Sequence, residues 1–404
     1  MTILAVNAGS STLKFALYPV QEAVAGPATL AGSIEGLDSN GQLLMSWRIK
    51  GQVFQSQIEA PSGDPFRDAL QALQGVLQRE LAGRDLQAVA HRVVHGGESY
   101  RDAVRVNRSV VEALSRLSAL APLHQPHNIE GILAFGRAFP DVPQIACFDT
   151  AFHAGIPEVE HLFALPPALV HQGIRRYGFH GLSYQYVMET LNRLSDRAQG
   201  RVVMAHLGNG ASLCATLNGK SCATTMGFSA LDGLMMGTRS GSLDAGVVLH
   251  LMSQGWDHAR LQDLLYRQSG LLGVSGISGD MRRLRTSHEA QAQLAIRMFT
   301  HRVIRETGAM AACLRGIDVL AFTGGIGEND STLRAEVCDS LEFLGVTLDH
   351  EKNQMDTGAQ AVSLHRAGSP VEVWMVSTDE GRVAAQAAAV VLLNATLTPD
   401  PVRR

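Results

Sequence analysis

The residues of this 404-residue chain that could do chemistry gather in short glycine-rich stretches. In VNAGSSTLKFALY (6–18), the small residues from Asn7 to Ser11 could turn backbone N–H groups toward a phosphate. The stretch lacks the Gly-x-x-x-x-Gly-Lys-Ser/Thr pattern that places a helix N-terminus against phosphates in the commonest nucleotide loop. A strand follows instead: Leu13, Phe15 and Leu17 alternate with Lys14, Ala16 and Tyr18, and Ile3 to Val6 make its partner. Asn7 to Ser11 are then the tip of a hairpin, a role that Asn, Gly and Ser also fill where no ligand binds.

The same construction returns in RVVMAHLGNGASLCATLNGKSCATT (201–225). A strand from Val202 to Ala205 enters the turn Gly208-Asn209-Gly210, and an alternating strand through Leu213 and Leu217 leads to a second tight turn at Asn218-Gly219. Leu213 and Leu217 repeat Leu13 and Leu17 at a fixed offset, which predicts a duplicated domain. Two such turns reaching one ligand from opposite sides, with no side chains between, would clamp a polyphosphate.

Strands alternating with helices carry these turns, the pattern of an α/β protein. Ile296, Phe299, Val303, Met310 and Leu314 sit at helical spacing. VLAF (319–322) is a short apolar strand opening into the glycine-rich loop TGGIGEN, and Leu333, Val337, Leu341 and Leu344 stripe a following helix that stops at Gly345. A glycine-rich loop between a parallel strand and a helix is where such folds bind nucleotides, although packing glycines read the same way. Asp149 ends a strand predicted over Gln144 to Phe148, where acidic groups of nucleotide folds reach the ligand.

A hydrophobic content of 46% over this length predicts two domains. The net charge is −4, and basic residues cluster only at Arg175-Arg176 and at Arg282, Arg283 and Arg285, so no nucleic-acid face is expected and the partner should be a small molecule. No signal-like segment opens the chain, and the apolar stretch from Ala384 to Leu393 is too short to cross a bilayer, so a soluble protein is expected. The cysteines at 147, 214, 222, 313 and 338 form no Cys-x-x-Cys pair, which favours buried free thiols over zinc or disulfides and fits a reducing cytoplasm.

With VNAGSSTLKFALY, HRVVHGG (91–97), FDTAFH (148–153), RRYGFHG (175–181), HLGNGASL (206–213), GTRSG (237–241), FTGGIGEN (322–329) and STDE (377–380), the chain closely resembles the acetate kinase family over nearly its whole length. The resemblance implies a duplicated ribonuclease-H-like fold of the sugar kinase, heat-shock-70 and actin superfamily, two lobes with a nucleotide cleft between them. The first lobe is expected over residues 1–148 with the returning helix 382–404, and the second over 149–381. Phosphoryl transfer from ATP to acetate, with ATP and ADP as co-substrates, Mg²⁺ as the metal (Mn²⁺ a possible substitute) and a cytoplasmic homodimer, follows from the same likeness. A propionate or broader short-chain acyl kinase on the same fold, and a nucleotide-driven switch, are its rivals.

Site residues carry over by position. Arg92 and Arg239 match the arginines that hold the carboxylate and the moving phosphoryl group, tasks that suit a planar guanidinium. His180 matches the family's transition-state stabiliser, and Asp149 matches an aspartate the family treats as catalytic. Because a carboxylate substrate is already ionised at pH 7, orientation of the substrate or of the magnesium shell suits Asp149 better than proton abstraction. Asn7 and Glu380 match the metal region, which sparse oxygen donors can serve. Lys14, His206, Leu207, Gly208, Asn209 and Gly210 match phosphate-side contacts. Asp280, Met281 and Arg282, with Gly325, Ile326, Gly327, Glu328 and Asn329, match the adenosine pocket. His124 matches a histidine near the substrate phosphoryl group. Val94, Leu123 and Phe179 match the apolar wall for the acid's tail, whose fourth member, usually Pro, is Ala230 here. Leu182 and Tyr184 replace Thr and His of the family pattern, Ser242 and Ala245 replace Asp and Pro, and Gly381 stands where a second Glu is common. The Tyr184 exchange puts support of His180 in question.

Overall fold

In the computed structural model, which describes residues 1–37, 43–59, 62–81, 83–122, 124–355 and 358–397, the chain divides into two compact units. Met1–Ala151 with Asp379–Arg404 form unit 1, and Phe152–Thr378 form unit 2.

Among the described residues, unit 1 is built on nine strands: β1 (Thr2–Ala8), β2 (Thr12–Gln21), β3 (Val24–Ala25), β4 (Leu30–Glu35), β5 (Leu43–Ile49), β6 (Gln52–Ile58), β7 (Ala88–Val93), β8 (Val104–Arg105) and β9 (Gln144–Phe148). Their order is β6-β5-β4-β2-β1-β7-β9-β8, with β3 beside β2. Unit 2 holds β10 (Arg201–Leu207), β11 (Ala211–Leu217), β12 (Lys220–Thr224), β13 (Val319–Thr323), β14 (Ala361–Ser363) and β15 (Glu372–Val376), ordered β12-β11-β10-β13-β15-β14.

The duplication lies in strand sense. In unit 1, β4, β2 and β1 run antiparallel and are followed by parallel β7 and β9. In unit 2, β12, β11 and β10 run antiparallel and are followed by parallel β13 and β15. A shared order and sense over five strands is the ribonuclease-H-like core present twice, as the paired hairpins predict.

The correspondence between the hairpins is not the one the leucines indicate. Ala8 pairs with Leu13 across Gly9, Ser10, Ser11 and Thr12, whereas Leu207 pairs with Ala211 across Gly208, Asn209 and Gly210. Counted from the turn, Phe15 is therefore the partner of Leu213. Leu17 is buried, and Leu217 lies exposed at the far strand end. Asn7 also lies inside β1, paired with Lys14, rather than at the hairpin tip, because the ladder continues in register to Ala8.

In unit 1 the helices Pro65–Leu81 and Gln125–Ala138 pack on the sheet and enclose a core of Leu4, Leu13, Phe15, Leu17, Leu73 and Phe135. The closing helix Glu380–Leu397 lies against β1, β2, β7 and β9 through Val383, Ala384, Ala385 and Ala388. In unit 2 the predicted helical stripe is one side of Ala290–Leu314, whose Ile296, Phe299, Val303, Met310 and Leu314 are buried. The predicted GGIGEN loop is a short helix, Gly324–Asn329, entered through Gly324 at φ 78°. The next helix ends at Ser340, so the Leu333–Leu344 stripe breaks into a 3₁₀ turn (Glu342–Leu344) before Gly345 at φ 90°. Cys147, Cys214 and Cys338 are buried free thiols, and Cys313 is an exposed one.

Candidate active site

In unit 1 the C-terminal ends of parallel strands β7 and β9 bring Arg92 and Asp149 together. Arg92 Nε lies 3.1 Å from both Asp149 oxygens and Nη2 lies 2.6 Å from Oδ2. Glu380, in the first turn of the closing helix, approaches Arg92 Nε at 3.4 Å. Burial works against the Arg92 charge, but the Asp149 and Glu380 carboxylates hold its pKa above the usual arginine range. Burial, and secondarily Glu380, push the Asp149 carboxyl up while Arg92 pulls it back. Two carboxylates thus share one guanidinium, and Asp149 is spoken for by that pairing.

The segment after Arg92 is held by the helix Gln125–Ala138. Asn128 accepts from the Val94 amide at 2.9 Å and donates to the Ala8 carbonyl at 2.9 Å, and Gln125 donates to the His95 carbonyl at 3.0 Å. Neither Asn128 nor Gln125 was singled out from sequence, because nothing local marks a helix residue as a tie between strand ends. His124 caps that helix, Lys14 projects outward from β2, and Leu123 lies outside the described residues. Gly381 is explained by Tyr18: a Cβ there would meet Tyr18 Oη at 2.6 Å, and that hydroxyl donates to Asp379 at 2.6 Å.

In unit 2 the rings of His180 and His206 stack with centroids 4.1 Å apart and planes 22° from parallel. Each is held at Nδ1 by a serine: Ser212 for His180 and Ser183 for His206, both at 2.8 Å. Their other nitrogens face the Gly208-Asn209-Gly210 turn. A Cβ on Gly210 would lie 3.3 Å from His180 Nε2 and 3.8 Å from Arg239 Nη2, and one on Gly208 would lie 3.9 Å from both His206 Nε2 and the Gly325 amide nitrogen. Absence of side chains thus lets backbone amides, two imidazole edges and a guanidinium converge, the donor set an oxyanion needs.

His180 takes a left-handed conformation (φ 59°, ψ 24°) just before the helix Gly181–Leu194. A non-glycine residue held there is strained and must be fixed by its surroundings. His153 supplies part of that support: its Nε2–H donates to the Phe179 carbonyl at 2.9 Å and Ser221 bonds its Nδ1 at 2.9 Å. Burial lowers the His153 pKa to about 4, so it remains neutral. His153 belongs to FDTAFH, but a histidine four residues after Asp149 signals nothing about a loop it supports in the fold.

Arg239 is aimed by Ala230, whose carbonyl accepts from Nη1 at 2.8 Å. Replacement of Pro by Ala keeps that acceptor. Ser242 donates to Asp232 at 2.7 Å, and Asp232 lies 3.6 Å from Arg176. The Gly237 amide donates to the Asn209 carbonyl at 3.0 Å, which ties GTRSG to the glycine turn. Asp280 pairs with Arg282 at 2.7 Å and caps the helix Met281–Arg285; Met281 is buried, and the Arg282 side chain is exposed. Glu328 accepts from the amides of Gly324 and Thr378, so its carboxylate braces the GGIGEN turn, while Asn329 donates to the Gly325 carbonyl. Phe179 and Leu207 are buried. The Tyr184 exchange leaves His180 supported, because its hydroxyl lies 2.5 Å from Ser212 Oγ.

A model of the Acetokinase family matches residues 2–386. The chain is 48% identical over 382 residues to an acetate kinase of Rhodopseudomonas palustris, covering 94% of this chain and 95% of the relative. The solved structure of a propionate kinase from Francisella tularensis superposes with a TM-score of 0.87 at 34% identity, covering 96% of this chain and 98% of the other. That of Porphyromonas gingivalis acetate kinase gives 0.85 at 35%, covering 97% and 99%.

Proposed function

We propose, from the premise that this chain belongs to the acetokinase family, that it is an acetate kinase transferring the γ-phosphoryl group of ATP reversibly to acetate, giving acetyl phosphate and ADP. The observation that carries this reading is the convergence of His180, His206 and Arg239 on the glycine turn at 208–210. Phosphoryl transfer passes through a loose transition state with charge spread over the equatorial oxygens, so alignment and charge neutralisation dominate its catalysis. The unit 2 residues fit that task. Arg92 fits the carboxylate of the acid, with Asp149 fixing its fork. No base is needed, because the attacking oxygen is already anionic.

Mg²⁺ would be held by Glu380, with Asn7 in its shell and the nucleotide phosphates completing it. The fit rests on donor chemistry: hard oxygens, with two carboxylates against a single guanidinium leaving net negative charge for a cation. Bound there, Mg²⁺ would supply neutralisation of phosphate charge. Lys14 and His124 are assigned to phosphate contacts, and the segments 280–282 and 325–329 to the adenosine side. Val94, Leu123, Phe179 and Ala230 are assigned to the tail of the acid.

A homodimer is part of the proposal. It is supported by the apolar helix Ala245–Ser253, none of whose residues is buried and which exposes Leu249 and Met252. No helix among the described residues is long and apolar enough to cross a membrane, and use of ATP fits the cytoplasm. Propionate is the competing substrate, favoured by the likeness to the Francisella propionate kinase and by Ala230.

Trapping of acyl phosphate by hydroxylamine tests the reading, with ATP, Mg²⁺ and acetate, propionate or butyrate. Highest kcat/KM with acetate, and collapse in His180→Ala and Arg239→Ala, are the expected results. A higher kcat/KM with propionate renames the enzyme and keeps the mechanism; no product with any acid defeats the assignment.

A further inference from the structure

Tyr184, Ser212 and His180 form a buried row behind the imidazole edge that faces the glycine turn. Tyr184 Oη lies 2.5 Å from Ser212 Oγ, which lies 2.8 Å from His180 Nδ1. Tyr184 and Ser212 have no solvent exposure and His180 has 9%. Among the described residues the Ser212 hydroxyl has these two partners and no third.

We propose that Tyr184 is a positioning residue that sets the tautomer of His180: the phenol donates to Ser212, Ser212 donates to His180 Nδ1, and the ring proton is thereby held on Nε2. This deepens the kinase reading, since a neutral His180 with its proton on Nε2 is what can donate to charge developing on a phosphoryl group, and its value for catalysis rests on that reading.

The direction of the row follows from hydroxyl chemistry. A phenol is a better donor than an alkyl hydroxyl, and its oxygen, conjugated with the ring, is a poorer acceptor. Tyr184 therefore gives its proton to Ser212. Ser212 then has one proton of its own and one remaining partner, His180 Nδ1, and a buried hydroxyl left undonated is disfavoured. Nδ1 must accept, which puts the proton on Nε2. One further feature agrees: burial raises the phenol pKa well above the ordinary range, so the donor keeps its proton. The Ser212 bond at Nδ1 fixes which ring nitrogen faces the row and the stack on His206 limits tilting, so the tautomer is the remaining variable.

The sequence pattern of the resembled family has His where this chain has Tyr184. A buried phenol that keeps its proton is the stronger donor of the two hydroxyls and so sends its proton toward Ser212, whereas an imidazole serves equally as donor or acceptor. Tyr184 thus commits His180 to one tautomer.

The test is ¹⁵N NMR of the His180 ring in the full chain without ligands, together with kinetics of Tyr184→Phe and Ser212→Ala. In the unsubstituted protein the Nε2–H tautomer is expected. In Tyr184→Phe, Ser212 is free to accept from Nδ1–H, so the tautomer ratio should move toward Nδ1–H by about tenfold. Acetyl phosphate formation should show a kcat about tenfold lower, with KM for ATP within about twofold, since ground-state binding is untouched. Ser212→Ala serves if Tyr184→Phe does not fold, and should also release the Nε2–H preference. A His180 found with its proton on Nδ1 in the unsubstituted protein, or a tautomer ratio unchanged by either substitution, overturns the proposal. The tautomer is read without turnover, so an expected spectrum from a protein that makes no acyl phosphate leaves the relay standing and defeats the kinase assignment alone.

Discussion

His180 and His206 lie face to face at 4.1 Å, each tied back at Nδ1 by its own serine and each presenting Nε2 to the turn 208–210. A pair held this way acts as a preset edge of two ring nitrogens, with no reorganisation needed when charge develops beside it.

His206→Phe keeps a ring against His180 and removes the second nitrogen. The fold should persist, with an unchanged circular dichroism spectrum. Loss of one donor to the transferring group should lower kcat by roughly 10²-fold, toward the lower end of what removing a single oxyanion donor costs. Activity within twofold of the unsubstituted protein would remove His206 from the chemistry.

Asp149→Ala leaves Arg92 with only Glu380 for company in a largely buried position. Loss of one partner of a buried pair costs about 3 kcal/mol or more. Urea unfolding should report that loss, beyond any effect on turnover. A midpoint unchanged from the unsubstituted protein would mean that the pair contributes nothing to holding β7 and β9 together.

Burial lowers the pKa values of His91 and His153 from about 6.5 to about 4. Their native forms therefore bind protons less readily than the unfolded chain. Stability is fully present above pH 6.5 and is lost as pH falls toward 4. By pH 5 each histidine should have removed about 2 kcal/mol. His153→Asn should flatten the slope of unfolding free energy between pH 6.5 and 5, and an unaltered slope would count against a neutral buried His153.

Ala230→Pro restores the family's usual residue and keeps the carbonyl that Arg239 uses. The propionate-to-acetate ratio of kcat/KM should fall by about tenfold, the worth of roughly one methylene in an apolar pocket. Turnover of acetate should stay within about threefold. A collapse with both acids would show instead that the ring disturbs the Arg239 anchor.

Gly381→Glu would place a side chain within 2.6 Å of the Tyr18 hydroxyl, which is fixed by Asp379. The single substitution should lower the melting temperature, and adding Tyr18→Ala should recover part of the loss. The cycle should show coupling of at least about 0.5 kcal/mol, and strict additivity would refute the proposed contact.

Alternation and turn chemistry are local, so the hairpins, the strand ending at Phe148, the buried side of Ala290–Leu314 and the duplication were all legible in the sequence. The motif order also identified the family, because many spaced residues must agree at once. Hairpin loop length was not legible in the repeated leucines, since it is a property of pairing: four residues separate one closing pair and three the other, and the structural partner of Leu213 is Phe15 and not Leu13. Nor was the state of the GGIGEN turn, which becomes helical because Glu328 reaches back to the Gly324 amide.

The sequence by itself determined which residues carry charge, donate hydrogen bonds or permit close backbone approach: Arg92, Asp149, His180, Arg239, Glu380 and the glycines. What those groups face was decided only by tertiary structure, because the partners come from distant segments. Asp149 became the orienting partner of Arg92, Ala230 the anchor of Arg239, and Tyr184 the support of His180 through Ser212. The row of Tyr184, Ser212 and His180 joins a helix, a strand and a left-handed residue, and no local pattern encodes a direction of hydrogen bonding that exists only once all three are buried together.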